Sequence, residues 1–217
     1  NPLGRVVHLQ PMHWRDGWPV IGVDMDMNGI GEPVEAWRKP NIKKETSIIL
    51  PATDDSFSSE KLGLQWQFNH NPVNEAWSLT EQKGKLTFHA LKADNFRTAR
   101  NTLTQKTMDY TGTATVKMTW NHKDLADGQH CGMACMGNFN WTIGIMQEDG
   151  QRYVYLENNN EVLQKKPIKG NVVYLRMDAD ATANQYQLLY STNAKEYTAL
   201  GDPFPMEFGH WKGVRIG

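Results

Sequence analysis

From Phe57 to the last residue, short apolar or alternating runs recur with turn residues between them, and no segment carries a long helical period with caps at both ends. The clearest runs are Gly84–His89, Thr113–Trp120, Trp141–Met146, Arg152–Leu156, Val172–Met177 and Gln185–Tyr190, each predicted as a strand. Asp127-Gly128, Asp149-Gly150, Asn158-Asn159-Asn160 and Lys169-Gly170 separate several of them and suit hairpin or loop geometry. Strands this short bury their apolar faces only by stacking two sheets or closing one, so the pattern predicts an all-β sandwich or barrel.

The first forty residues read as strand, turn, strand: Arg5–Gln10, Trp18–Val23, a Gly-rich turn, then Pro33–Trp37. Three short strands do not make a domain and must lean on other β structure. Residues 38–56 are polar and punctuated by Pro40 and Pro51, with one apolar island at Ile48-Ile49-Leu50, which predicts a linker running along a surface. The segment from Trp211 to Gly217 reads as a last strand with no turn after it, and hence as an unprotected edge.

A chain of 217 residues with 39% hydrophobic residues, 22% charged residues and a formal net charge of -1 has the composition of a folded protein, and offers no basic surface for nucleic acid. Ile48–Leu50 and Val172–Leu175 fall far short of the roughly 18 apolar residues of a membrane-spanning helix. Asn1-Pro2-Leu3-Gly4-Arg5 carries no leader pattern. Both cysteines sit in Cys131-Gly-Met-Ala-Cys135; an extended backbone holds them roughly 13 Å apart on one face, too far to bridge, so buried inert thiols are the expectation.

Asp24-x-Asp26-x-Asn28-Gly29 running on to Glu35 has the spacing of a helical calcium loop. A strand-like run precedes it, and Pro33 and Pro40 forbid a regular exiting helix, so a polar hairpin turn stands beside calcium as the reading. His8, His13 and Asp16 straddle Pro11 without ligand spacing. The acids Glu75, Glu81, Asp94 and Asp124 fall on predicted turns, and spacing nominates no glycosidase pair among them. Eight tryptophans is a high count; Trp66, Trp77 or Trp141 would serve as stacking platforms if the chain were a carbohydrate-binding module, whereas filling between two sheets accounts for most of them in an ordinary sandwich.

Gly4-Arg5, Leu9-Gln10-Pro11, Trp14 and Asp16-Gly17-Trp18-Pro19 resemble the end of the five-bladed β-propeller of glycoside hydrolase family 43. Phe57–Pro72, Trp77–Thr80, Gly84–Leu86, Leu103–Gln105, Asp127-Gly128, Gly132-Met133, Val173–Arg176, Tyr190-Ser191, Leu200-Gly201 and Trp211–Gly213 resemble that family's C-terminal concanavalin-like sandwich. The resemblance implies a last propeller blade over residues 1–40, a linker over 41–56 and a concanavalin-like antiparallel sandwich (jelly roll) over 57–217. It also implies a parent enzyme of β-xylosidase or α-L-arabinofuranosidase type, inverting, with xylo- or arabino-oligosaccharide as substrate and the missing propeller as structural partner. The family's three catalytic acids belong to earlier blades and are not in this sequence. By motif position Arg5 matches an arginine near the sugar. No cofactor is implied, and a periplasmic or secreted location is favoured over a cytoplasmic one. Because the family sandwich continues past the Arg215-Ile216-Gly217 type of segment, the expectation is a chain short at both ends and inactive alone.

Overall fold

The computed structural model describes residues 2–41, 47–121, 125–207 and 212–217. Cα packing divides the chain into one unit of Asn1–Arg5 with Pro51–Gly217 and a second unit of Val6–Leu50. Among the described residues no helix is long and apolar enough to cross a membrane.

The second unit is a hairpin of β1 (Met12–Arg15) and β2 (Trp18–Ile21), antiparallel with Arg15 opposite Trp18. Its two-residue loop is Asp16-Gly17, both with positive φ (50° and 82°), the backbone of a type I′ turn whose twist matches that of the strands it joins. Beyond β2 the chain folds back so that Val23 and Glu32 exchange backbone hydrogen bonds. The Gln10 amide then clamps the main chain of Val34, accepting from its N–H at 2.9 Å and donating to its carbonyl at 3.1 Å. Two expected strands are absent: Arg5–Gln10 and Pro33–Trp37 have no ladder of their own, because the side chain of Gln10 takes the place of strand pairing.

The first unit holds the remaining strands: β3 (Gln67–Phe68), β4 (Trp77–Ser78), β5 (Thr87–Phe88), β6 (Leu103–Lys106), β7 (Thr111–Thr119), β8 (His130–Met136), β9 (Asn140–Glu148) and β10 (Gln151–Asn158). They continue as β11 (Glu161–Pro167), β12 (Val172–Asp180), β13 (Gln185–Ser191), β14 (Thr198–Ala199), β15 (Phe204–Pro205) and β16 (Arg215–Ile216). Seven strands form one sheet in the order β11-β10-β9-β8-β16-β6-β3, and a second sheet runs β14-β13-β12-β7 with β15 beside β13. Every pairing is antiparallel. The expected Gly84–His89 strand shortens to β5, which pairs only with β4.

Period-two alternation places the core. On β12, Val173, Leu175, Met177 and Ala179 are buried while Val172, Tyr174, Arg176 and Asp178 lie on the other face. They meet Ile143 and Ile145 of β9, Val154 and Leu156 of β10 and Tyr186 and Leu188 of β13 in one apolar cluster shared by both sheets, which makes the unit a sandwich. Each such side chain contributes about 1.5–3 kcal/mol by leaving water. Two of the hairpins end in turns with both central residues at positive φ, Asp149-Gly150 between β9 and β10 and Asn159-Asn160 between β10 and β11.

The chain's end corrects a sequence expectation. β16 is not an edge: Arg215 pairs with Lys106 of β6 on one side and Met136 of β8 on the other. Gly217 exchanges backbone hydrogen bonds with Ala134 at 2.7 and 2.9 Å. The unprotected edge inferred from the missing turn therefore does not exist. Beside β16, Pro2 O accepts from Val214 N at 2.8 Å, and Gly4 crosses Gly213 so closely that a Cβ on Gly4 would lie 2.4 Å from Gly213 N. Both glycines also have positive φ, 79° and 76°.

Gly213→Ala should therefore lower the thermal midpoint far more than Gly150→Ala. Both positions carry the left-handed cost of about 1–2 kcal/mol, but a Cβ at Gly150 meets open space and one at Gly213 meets the backbone of Leu3. Equal losses in thermal unfolding would show that the crossing is not tight.

Candidate functional site

The tryptophans proposed as sugar platforms are each half-buried against another aromatic ring. Trp66 stacks on Phe57 (centroids 5.6 Å, 29°) and donates its indole N–H to Asp55 at 2.7 Å. Trp77 leans on Phe68 at 5.1 Å. Trp141, on β9, lies nearly parallel to Phe204 at 4.1 Å and 13°, packed against the sandwich core.

Of the three, Trp141 borders the larger concavity. A cleft of about 410 Å³ is lined by Trp141, Leu156, Leu163, Gln164, Gly201, Asp202, Pro203 and Phe204. Gly201 is required there, because a Cβ would meet Leu156 Cδ2 at 2.4 Å. An apolar wall of one indole and one phenyl ring with an amide and a carboxylate at hand suits the C–H face and hydroxyls of a sugar. Sequence reasoning found Trp141 and missed Phe204, Gln164 and Asp202. They come from separate strands and a loop, and only the β9–β10–β11 register brings them together.

The scattered acids are not assembled into a catalytic pair. Glu75 and Asp94 are exposed, Glu81 pairs with His89 at 2.8 Å, and Asp124 lies outside the described residues. The acid that sequence reasoning missed is Glu157, buried on β10 with Oε2 3.4 Å from Nδ1 of His130, whose ring packs on Tyr155 at 4.9 Å. Alternation alone could have placed Tyr153, Tyr155 and Glu157 on one face of β10. It could not have shown that this face is covered, as burial of Thr142 and Met146 on β9 also records. Burial pushes the Tyr155 hydroxyl well above its ordinary value, with lesser opposing help from Thr142.

Arg5 is exposed and belongs with the sandwich unit by packing. In the hairpin unit, Asp24 Oδ2 accepts from Arg15 Nη1 at 2.6 Å and from Gly29 N at 3.0 Å; Asp26 and Asn28 bond to each other and to the turn backbone, and Glu35 is exposed beyond the Val23–Glu32 bridge. His8 and His13 are exposed, and among the described residues no three His, Cys, Asp or Glu side chains gather as a metal group.

Residues 54–217 match the family described as the β-xylosidase C-terminal concanavalin A-like domain. The chain belongs to glycoside hydrolase family 43. It is 40% identical over 218 residues to a putative β-xylosidase of Xylanibacter ruminicola, covering 99% of this chain and 39% of that protein. A 97-residue stretch is 40% identical to a non-reducing end α-L-arabinofuranosidase of Bacteroides ovatus, covering 44% of this chain and 17% of that protein. A bifunctional family 43–carbohydrate esterase structure from Bacteroides eggerthii superposes with TM-score 0.77 at 28% identity, over 99% of this chain and 28% of that one. The chain thus spans about two fifths of the length of the β-xylosidase it matches.

The family 43 sandwich holds its thiols as packing groups. Cys131 stands at the surface by area, yet its Sγ lies 3.8 Å from the Ile145 carbonyl, and burial pushes it from 9.0 up to about 11. Cys135, fully inside, is raised further by the same cause. A raised thiol binds its proton more tightly folded than unfolded, so the stability it lends is complete below pH 9 and is lost as pH rises toward 11. The fall in urea midpoint between those limits should be smaller in Cys131→Ala than in the parent chain. An identical fall in both would show that the thiol titrates as in the unfolded chain.

Proposed function

We propose that this chain is the C-terminal part of an exo-acting glycosidase that removes xylose or arabinose units from xylo- or arabino-oligosaccharides with inversion. In this reading residues 1–40 are the last blade of the catalytic propeller, 41–56 the linker, and 57–217 the sandwich that supports and shapes the active-site mouth. The observation that carries it is the hairpin unit: Val20 is its one buried large hydrophobic, while Val7 (94% exposed), Leu9 (92%), Trp14, Trp18 and Ile21 stand uncovered. So much apolar surface on so small a β unit calls for further strands to cover it, which a propeller supplies. The β-xylosidase and arabinofuranosidase relatives support the substrate class.

Inverting hydrolysis needs one carboxylic acid to protonate the leaving glycosidic oxygen and one carboxylate to deprotonate a water attacking the anomeric carbon from the opposite face. The two stand about 6.5–9.5 Å apart to admit that water. These acids reside in the propeller, outside this sequence, and the reaction consumes no cofactor. An exported or periplasmic location fits oligosaccharides released from a polymer outside the cytoplasm. Arg5 is assigned to the sugar: its guanidinium offers a rigid fork of donors to neighbouring hydroxyls. In the full-length enzyme, Arg5→Ala should lower kcat/KM on nitrophenyl xyloside or arabinofuranoside about 10- to 100-fold, the equivalent of roughly 1.5–3 kcal/mol for a charged hydrogen bond. Unchanged kinetics would remove Arg5 from the site.

The Trp141–Phe204 cleft favours a second reading, a non-catalytic carbohydrate-binding module. Affinity electrophoresis of the chain in xylan or arabinoxylan separates the two. The supporting role predicts no retardation, whereas retardation abolished by Trp141→Ala would establish the module.

A further inference from the structure

We propose that the Asp24–Glu32 loop of the hairpin unit is a calcium site, independent of the glycosidase reading. The loop carries the spacing of a calcium loop on a β-hairpin in place of two helices: Asp24, Asp26 and Asn28 occupy the first, third and fifth positions and Gly29 the sixth. Gly29 has φ 88°, which turns the chain sharply where such loops need a glycine.

Three backbone donors fix the oxygen-bearing side chains. Gly29 N donates to Asp24 Oδ2 at 3.0 Å, Asn28 N to Asp26 Oδ1 at 3.3 Å and Ile30 N to Asn28 Oδ1 at 2.7 Å. The decisive feature is separate from that turn geometry. The Asp24 side chain is only 6% exposed, and its Oδ1 is buried with no hydrogen-bond partner. Its other oxygen is held by Gly29, so the carboxylate is turned into the loop. A buried carboxylate oxygen without a donor is costly unless a cation meets it.

Arg15 already supplies one positive charge to Asp24 Oδ2 at 2.6 Å. With Asp26 and Glu32 added to Asp24, three carboxylates less that guanidinium leave a double negative charge, which a divalent cation neutralises. Glu32 replaces Glu35 as the fourth side-chain ligand, because the Val23–Glu32 bridge holds residue 32 at the mouth of the loop and the Gln10 clamp on Val34 fixes the chain beyond it. The Ile30 carbonyl stands at the seventh position. A pliant set of carboxylates, an amide and a carbonyl suits calcium; magnesium demands a tighter octahedron. One contact must be exchanged on binding: Asn28 Nδ2 leaves Asp26 Oδ2, where it now donates at 2.9 Å.

The test is calorimetric titration of calcium chloride into the chelator-treated chain, with thermal unfolding followed in parallel. The site predicts one calcium per chain with Kd in the range of about 10⁻⁵ to 10⁻³ M, and a higher thermal midpoint with calcium than with equal magnesium. Asp26→Asn, an exposed change that keeps an oxygen for the Asn28 N–H, should weaken binding at least tenfold, as should Glu32→Gln, while Glu35→Gln should change it less than about twofold. Circular dichroism confirms that Asp24→Asn folds before its expected loss of binding is scored; should it misfold, Asp26→Asn decides alone. No binding up to about 10 mM calcium, or binding that Asp26→Asn leaves intact, overturns the proposal. Loss with Glu35→Gln in place of Glu32→Gln overturns the ligand set.

Discussion

The seven-stranded sheet is continuous only because its last two-residue strand is inserted in its middle. β16 bonds β8 on one side and β6 on the other, and without it β6 and β3 have no link to β8–β11. Arg215 reinforces that join from its side chain, donating to Asn69 Oδ1 at 2.6 Å and to Thr104 Oγ1 at 3.4 Å; its half-buried setting costs solvation, and burial lowers its affinity for its proton. The same segment receives the beginning of the chain through the Pro2–Val214 bond and the Gly4–Gly213 crossing. Residues from both ends of the sequence therefore determine whether the sandwich can close.

That arrangement bears on what the two units are for. The sandwich has a full apolar interior shared by both sheets and needs nothing more to be stable. The hairpin unit has almost no interior, yet its turns are carefully made: a type I′ loop at Asp16-Gly17, a glutamine clamp on Val34 and a polar loop closed over Asp24. Well-formed local geometry with an uncovered apolar surface is what a piece of a larger β assembly looks like. A catalytic propeller supported by a concanavalin-like sandwich is the proposed assembly, and the family membership of residues 54–217 is consistent with it.

The sandwich was legible wherever one face is buried. On β12, β9 and β13 the alternation of apolar residues matches the alternation of burial, and the Asp-Gly and Asn-Asn turns lie between the strands they were expected to join. Two strands escaped notice: β8, whose Gly132, Met133 and Ala134 are small or flexible, and β11, an edge strand rich in glutamine and lysine. Pairing over long sequence separations was not legible either. Nothing near Arg215 indicates that its partners are Lys106 and Met136, so a central strand read as a bare edge. The site residues divide in the same way. A local motif such as Asp24–Gly29 can be read from spacing, whereas the cleft joining Trp141 to Gln164, Asp202 and Phe204 exists only after the strands are in register.

The central claim is that these residues support catalysis performed elsewhere in a longer family 43 enzyme. The direct measurement is hydrolysis of nitrophenyl xyloside and nitrophenyl arabinofuranoside by the 217-residue chain and by the longer protein that contains it, at equal molar concentration. The account predicts turnover by the longer protein and none by the chain, which folds cooperatively all the same. Turnover by the chain alone, abolished by a substitution at one of its own acids such as Glu157, would contradict it.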